Sequence, residues 1–295
     1  MNQKEISLLK EVGTIEKKVK EYACSIIKPN MHLLEIAEKI EAKIISLGAQ
    51  PAFPVNLSKN EIAAHATPQL QDEEKASGLL KVDIGVQKEG YIADSAFSID
   101  LENNEENKKL IETAEEALKK AVEITQWGTP IRIIGAVIES TIKEKGFHPI
   151  SNLSGHAIDQ YNLHAGITIP NFDNAQEKQL TEGVYAIEPF VTTGLGAVKD
   201  SKPSGIFRKT KSGNVRDQTA REVLKFIDNN YHTLPFCTRW IQKKFRSKAI
   251  LALKRLEEAG IIHQYPMLIE TGKGKVAQAE HTVIITEKEK IITTA

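Results

Sequence analysis

Residues 78–101 read GLLKVDIGVQKEGYIADSAFSIDL. Apolar residues alternate with others on both sides of a turn at residues 88–90, which is the pattern of a two-stranded hairpin. Asp83 interrupts the apolar run VDIGV on the first strand, and Asp94 lies on the second strand, eleven residues further along. Cross-strand pairing can therefore bring the two carboxylates together on one face.

Helical patterns lie on both sides of this hairpin. The first 48 residues predict two amphipathic helices separated by KPNM, and two more helices are predicted over about 105–126 and 131–145. Residues 148–171 predict a loop-rich region, after which TEGVYAIEPFVTT predicts a strand. Residues 215–260 have a mostly helical pattern, and VAQAEHTVIITEKEKIIT predicts a final hairpin. Helix pairs thus alternate twice with antiparallel strands, which predicts an α+β fold and suggests an internal duplication.

Two further acidic residues also interrupt apolar strand patterns, as Asp83 does in the first hairpin. Glu188 lies in YAIEPF and Glu280 in VAQAEHTVII, so four carboxylates occupy strand patterns that predict burial. A single buried acid can cap a turn or pair with one Lys or Arg. Four acids packed together repel one another unless a multivalent cation neutralises them. The set therefore favours a metal centre, to which His156 can add the imidazole typical of transition-metal sites.

Bulk properties limit the class of protein. The chain has 295 residues, 41% apolar and 26% charged, without an apolar run long enough to cross a bilayer. Its first residues lack the apolar segment of a signal peptide, so we expect a cytoplasmic location. Cys24 and Cys237 are the only cysteines and form no CxxC pattern, which argues against a disulfide framework or a thiolate zinc site.

Charge is distributed unevenly although the formal net charge is zero. Between Lys199 and Arg255 the chain carries 15 Lys or Arg side chains and only four acidic ones, a local excess of eleven positive charges. This asymmetry predicts a separate surface role for the segment.

Six sequence blocks together resemble one family. In order and spacing, the chain resembles type II methionine aminopeptidases of the archaeal kind through PAFPVNLSKNEIAAHATP, VDIGVQKEGYIADSA, LSGHAIDQYNLHAGITIPN, VYAIEPF, TLPFCTRW and QAEHTVII. The resemblance implies the pita-bread fold of two pseudo-symmetric halves. It assigns residues 1–198 and 267–295 to the catalytic domain, and residues 199–266 to the helical insertion that distinguishes type II enzymes.

The resemblance also implies a dinuclear site that removes the initiator methionine of nascent polypeptides. Asp83 would bind one divalent ion, His156 and Glu188 the other, and Asp94 and Glu280 would bridge both. The ions would be cobalt, manganese, iron or zinc, and the water or hydroxide between them would attack the carbonyl of the first residue. Glu188 matches the position proposed as general base, and the free α-amino group would bind on the Asp83 side.

Three more residues are assigned by the resemblance alone. His164 matches the histidine that donates a hydrogen bond to the substrate carbonyl, and His65 matches the histidine near the scissile nitrogen. Without the resemblance, a lone histidine in a loop is usually a surface residue. Phe53 matches a family residue that forms one wall of the methionine pocket. The sequence explains Phe53 equally well as an ordinary core residue. Ala66 and Ala279 depart from the family, which usually has aromatic residues there, and either change could reshape the pocket.

Alternatives remain open. Relatives of this fold include binding proteins that have lost their metal ligands, and prolidases with a similar metal cluster, although the insertion argues against a prolidase. SKAILALKRLEEAGIIHQYP resembles a winged-helix module. Winged helices often bind nucleic acid, so the basic insertion would be a surface that docks on ribosomal RNA. The alternative is a solvated basic face that covers the cleft. A monomer is the default of the family.

Overall fold

The computed structural model describes residues 1–295, which form seven helices and sixteen strands. The helices are α1 (Gln3–Ile26), α2 (Leu33–Ser46), α3 (Glu105–Ile124), α4 (Ile131–Glu144), α5 (Gln218–Asn230), α6 (Thr238–Phe245) and α7 (Lys248–Glu258). The strands are β1 (Gln50–Pro51), β2 (Asn56–Lys59), β3 (Ile62–Ala64), β4 (Leu79–Lys88), β5 (Tyr91–Asp100), β6 (His148–Pro149), β7 (Ser154–Ile158), β8 (Thr168–Pro170), β9 (Gly183–Ile187), β10 (Phe190–Thr192), β11 (Val198–Lys209), β12 (Phe236–Cys237), β13 (Ile262–Glu270), β14 (Val276–Gln278), β15 (His281–Ile285) and β16 (Lys290–Ile292).

The first half is built on the predicted hairpin. Strands β4 and β5 pair antiparallel over their full length, joined by Glu89 and Gly90, whose φ angles are 53° and 83°. Positive φ at both turn residues gives the twist that a two-residue hairpin needs. Strands β1 and β2 pair with β4 on its other side. Helices α1 and α2 pack on this sheet and share an apolar core with it.

The second half repeats this plan. Its five-stranded antiparallel sheet runs in the order β16-β15-β9-β7-β8, and helices α3 and α4 share an apolar core with it. The two predicted helix pairs and both hairpins are thus confirmed. No helix of the structure is long and apolar enough to span a membrane.

Strand β5 joins the halves at the centre of the molecule. The backbone N–H of Glu280 donates to the carbonyl of Ala96 at 2.9 Å. The N–H of Asp94 donates to the hydroxyl of Thr282 at 2.8 Å, and that hydroxyl lies 2.8 Å from the carbonyl of Asp94. Two of the four predicted acids therefore lie on opposite sides of the seam between the halves.

The basic segment has a core of its own. Helices α5, α6 and α7 bury their apolar faces against one another and against Phe207 and Ile262 of the long β11–β13 pair. Gly260 has φ +65° just after α7, as a helix C-terminus requires. Strand β13 also pairs with β3 of the first half, so one sheet connects the two regions. The boundaries of the insertion at residues 199 and 266 stay a prediction. Strand β13 continues across the boundary at residue 266.

One buried ion pair fixes this segment to the first half. Arg239 is fully buried and donates to both carboxylate oxygens of Glu41 on α2, each at 2.7 Å. Its Nε donates to the carbonyl of Pro68 at 3.1 Å, and Trp240 donates to Glu41 at 2.9 Å. Every group of the pair has a partner, which is the condition under which buried charges are tolerated.

Local structure around three predicted ligands differs from the expectation. His156 was expected in a loop, but it lies within β7, where its backbone pairs with Ala186. This pairing joins segments far apart in sequence, and the Gly- and His-rich composition of β7 gives no local sign of it. Glu188 directly follows β9 and Glu280 directly precedes β15, so both lie in short breaks between strands rather than within strands.

Candidate metal centre and active site

The structure brings all eight predicted site residues to one cavity of about 480 Å³. It lies where the two halves and the insertion meet, and its predicted lining residues are Phe53, His65, Asp83, Asp94, His156, His164, Glu188 and Glu280. None of the eight lies elsewhere. Their binding and catalytic roles stay predictions.

The hairpin register places the two aspartates on the same face. Asp83 is opposite Ala96, and Asp94 is opposite Gly85, so the acids are diagonal neighbours across the strand pair. Diagonal side chains of this kind are within reach of a shared ligand. Gly85 has a further role, because a Cβ there would lie 2.2 Å from the ring of Phe53. The missing side chain lets the aromatic ring lie against the hairpin beside the acids.

The second half supplies the remaining ligand candidates. The Nε2 atom of His156 lies 3.5 Å from a Glu188 oxygen and 3.8 Å from an Asp94 oxygen. One ligand atom each of Asp94, His156 and Glu280 lie within 4.8 Å of one another. The amide of Gln278 lies 3.4 Å from Glu188 and 3.5 Å from Glu280. Side chains from both halves therefore converge on one small volume.

These acids are not satisfied by the protein itself. Asp83, Asp94 and Glu280 each have one buried carboxylate oxygen without a hydrogen-bond partner. No Lys or Arg forms a salt bridge with any of these three acids or with Glu188. A buried polar atom left unpaired costs about 1–3 kcal/mol, and more when it is charged. The arrangement is thus costly for the protein alone.

The pKa values of the acidic side chains also show that their burial in the charged form is unfavourable. Desolvation raises the pKa of Asp83 to about 7. Desolvation is also the largest cause that raises the pKa of Asp94, of Glu188 and of Glu280, and repulsion from the neighbouring carboxylates raises all three further. Desolvation lowers the pKa of His156 to about 4, so its ring is neutral and its nitrogen is free to bind a metal. Divalent cations would remove the repulsion and occupy the unpaired oxygens.

Two more histidines stand beside the acids. The rings of His164 and His156 are 4.4 Å apart in an edge-on arrangement. His65 has φ +62°, and its Nδ1 lies 3.2 Å from the carbonyl of Pro266, which fixes the ring against the insertion. Desolvation lowers the pKa of both His65 and His164. Both are therefore neutral near pH 7, when one ring nitrogen carries a proton. In His65 that proton lies on Nδ1 and is donated to the Pro266 carbonyl, which leaves Nε2 as an acceptor.

The insertion forms one wall of the cavity, through residues that the sequence did not single out. Its contribution is apolar and aromatic and consists of Ile206, Pro235 and Tyr265. The ring of Tyr265 lies 5.2 Å from that of His65. Gln278 was also missed, although it precedes Glu280 by two residues and the period-two pattern predicted for this segment gives both side chains the same face.

The two departures from the family pattern lie outside the cavity. Ala66 is buried and borders a separate cavity formed with Thr67, Pro203 and Met267. Ala279 is buried in the core of the second half. Neither alanine side chain lines the cavity that holds the predicted site residues.

An acid-rich centre with one buried histidine, at the junction of two similar α+β halves, defines a metal-dependent hydrolase of the pita-bread kind. The chain belongs to metallopeptidase family M24, which it matches over residues 7–287. It is 47% identical to a methionine aminopeptidase of Pyrococcus abyssi over 98% of this chain and 99% of that protein.

Solved structures support the fold. A methionine aminopeptidase of Thermotoga maritima has a TM-score of 0.72 at 20% identity, over 100% of this chain and 98% of that one. A thermophilic Arx1 has a TM-score of 0.84 at 15% identity, over 99% and 91%. At these identities the likeness concerns the fold alone. The predicted α+β pita-bread fold and the predicted family are confirmed.

Proposed function

We propose that the chain is an aminopeptidase that removes N-terminal methionine from polypeptides by metal-dependent hydrolysis. The observation that carries the proposal is the group of unpaired buried carboxylates on the wall of one cavity, beside two neutral histidines. The relatives that match nearly the whole chain are methionine aminopeptidases, which supports the substrate class.

Two divalent ions suit the donor set. Asp83 would hold one ion, His156 and Glu188 the other, and Asp94 and Glu280 would bridge them. When bound, such ions lower the pKa of a water and polarise the substrate carbonyl. Carboxylate and imidazole donors together suit manganese, iron, cobalt or zinc. Glu188, with one carboxylate oxygen toward His156 and the other toward Gln278, would accept the proton of the attacking water.

The rest of the cavity would orient the substrate. The free α-amino group would lie at the Asp83 side, and an internal peptide bond, which offers no such amine, would then not be cleaved. Phe53 would contact the methionine side chain, since sulfur beside an aromatic ring is favourable. His164 would donate to the carbonyl oxygen, where negative charge develops, and His65 would assist the leaving nitrogen.

Asp94→Asn tests the bridging role. We expect the variant to hold fewer than two metal ions per chain and to release methionine from Met-Ala-Ser at least about 100-fold more slowly, because loss of a ligand exceeds loss of a supporting contact. Metal analysis and methionine release give the two readings. Asp159→Asn is the matched control, because Asp159 is exposed and outside the cavity. Two metals and full activity in Asp94→Asn would refute the role.

The same assay separates this proposal from a prolidase. Met-Ala-Ser and Ala-Pro peptides are compared with added Mn²⁺ or Co²⁺. We expect methionine release. Release of proline without methionine would favour the prolidase.

We also propose a cytoplasmic monomer whose basic insertion docks on ribosomal RNA and so meets nascent N-termini. Lys244, Arg246 and Lys248, at the turn between α6 and α7, are exposed and form no salt bridge. Lys243 is a poorer candidate, because it pairs with Glu38 at 2.8 Å. Exposed unpaired cations of this kind bind phosphates in a salt-dependent way.

Ribosome co-sedimentation tests the docking. We expect binding that weakens with salt and falls in a Lys244→Glu, Lys248→Glu double variant. Lys10→Glu, an exposed change on α1, is the control. Binding that is insensitive to salt, or unchanged in the double variant, would argue for a solvated face instead.

A further inference from the structure

The sheet of the insertion continues outward from the cavity wall. Arg208 on β11 pairs with His263 on β13, so their side chains share a face. Ile206 and Tyr265, two residues from each along the strands, lie on that face and line the cavity. Phe207, between Ile206 and Arg208, points to the opposite face and is buried in the core of the insertion. Arg208 and His263 thus form the outer edge of the cavity wall.

Tyr265 links this edge to the catalytic histidines. Its ring lies 5.2 Å from the ring of His65 and 5.7 Å from the guanidinium of Arg208. A guanidinium over an aromatic face is held in place by attraction to the ring. Arg208 is also close enough to His164 for its charge to lower the pKa of that residue. Arg208 and His65 therefore both neighbour the same aromatic side chain.

The charge of Arg208 is free. The side chain is exposed and forms no salt bridge, whereas Lys209, its neighbour on the other face, pairs with Asp228. The ring of His263, next to Tyr265 at 6.2 Å, adds no negative charge. A cation without a salt-bridge partner thus lies at the edge of a cavity whose far wall is acidic.

If the function proposed above holds, the substrate runs in a fixed direction. The α-amino group lies at the acids and the scissile bond lies at His65 and His164. The polypeptide that follows must then leave past Tyr265. We propose that Arg208 binds a carboxylate in the residues after methionine, and that the enzyme favours substrates with an acidic group there. The carboxylate would come from an Asp or Glu side chain or, in very short peptides, from the C-terminus.

Amidated pentapeptides of sequence Met-Ala-Ala-Ala-Ala test this, with Asp or Asn placed in turn at positions three, four and five. At one position or more, we expect kcat/KM to be about two- to fivefold higher for Asp than for Asn, as one exposed ion pair gives. The difference should appear in KM and shrink at about 0.5 M salt. Met-Ala-Ala as free acid and as amide tests the C-terminal source.

Variants show whether Arg208 is responsible. Arg208→Gln should bring the Asp/Asn ratio to about one, Arg208→Glu should reverse it, and Lys211→Gln, an exposed cation beyond the end of β11, should leave it unchanged. A ratio near one at every position of the wild type, or an undiminished ratio in Arg208→Gln, would overturn the proposal. The amidated peptide Met-Ala-Ala-Ala-Ala, without Asp or Asn, measures methionine release independently of Arg208. If the wild type cannot cleave this peptide, the proposed function itself fails.

Discussion

Two groups of buried charged side chains in this molecule differ in whether their polar atoms have partners. The Glu41–Arg239 pair has a partner for each oxygen and for three guanidinium nitrogens, and it joins the insertion to the first half. The acid cluster, defined as Asp83, Asp94, Glu188 and Glu280, has no cationic side chain and has three unpaired oxygens. The first arrangement is complete without a ligand, and the second needs one. Satisfied hydrogen bonds, rather than burial alone, thus distinguish the ion pair from the acid cluster.

Glu41→Gln should have the largest effect on stability. The change leaves the buried guanidinium of Arg239 without its counter-charge, which costs about 3–5 kcal/mol of unfolding free energy. Urea unfolding measures the loss. Activity per folded molecule should stay near that of the wild type, because the pair is outside the cavity. Glu38→Gln, at an exposed pair on the same helix, is the control and should change stability by less than about 1 kcal/mol.

His164→Ala should act on turnover instead. Removing one donor aimed at developing negative charge lowers kcat by about 10²–10³-fold, with a smaller change in KM. Steady-state methionine release separates the two constants. His148→Ala removes an exposed histidine outside the cavity and should have no such effect. A rise in KM at unchanged kcat would assign His164 to binding alone.

Glu16 lies behind the acid cluster and gives a pH prediction. It is fully buried, accepts a hydrogen bond from Ser95 and has one oxygen without a partner. Burial raises its pKa from 4.5 to about 7. The folded state therefore keeps a proton that the unfolded state releases, so stability is lost as pH rises from about 4.5 to about 7.

Glu16→Gln should remove this part of the pH dependence. The wild type should lose at most about 3 kcal/mol more than the variant between pH 5 and pH 8. Urea unfolding of the metal-loaded protein at both values gives the difference. Glu11→Gln, an exposed change on the same helix, should behave as the wild type. Parallel curves for wild type and Glu16→Gln would show that Glu16 does not titrate on unfolding.

Asp94→Asn should have the smallest effect on stability, with the opposite sign to that of Glu41→Gln. In chelated protein at about pH 8, removing one repelled carboxylate should raise the unfolding free energy by about 1–2 kcal/mol. Calorimetry of chelated wild type and variant measures it. Lower stability in the chelated variant would mean that the acids support one another without metal.

The sequence predicts the acid cluster better than the cavity around it. Period-two alternation locates Asp83 and Asp94 on one hairpin, and burial patterns mark Glu188 and Glu280, because these signals are local. The position of His156 within a strand depends on pairing with a distant segment. The wall that the insertion contributes, including Tyr265, depends on how β11 and β13 meet β3, which no local pattern encodes.

The central claim is that the acid cluster is a metal centre on which methionine release depends. The most direct test follows methionine release from Met-Ala-Ser by exhaustively chelated protein while Mn²⁺ or Co²⁺ is added in steps. The account predicts negligible release at the start and a rise that ends near two ions per chain. Full release by the chelated protein, with no response to added metal, would contradict it.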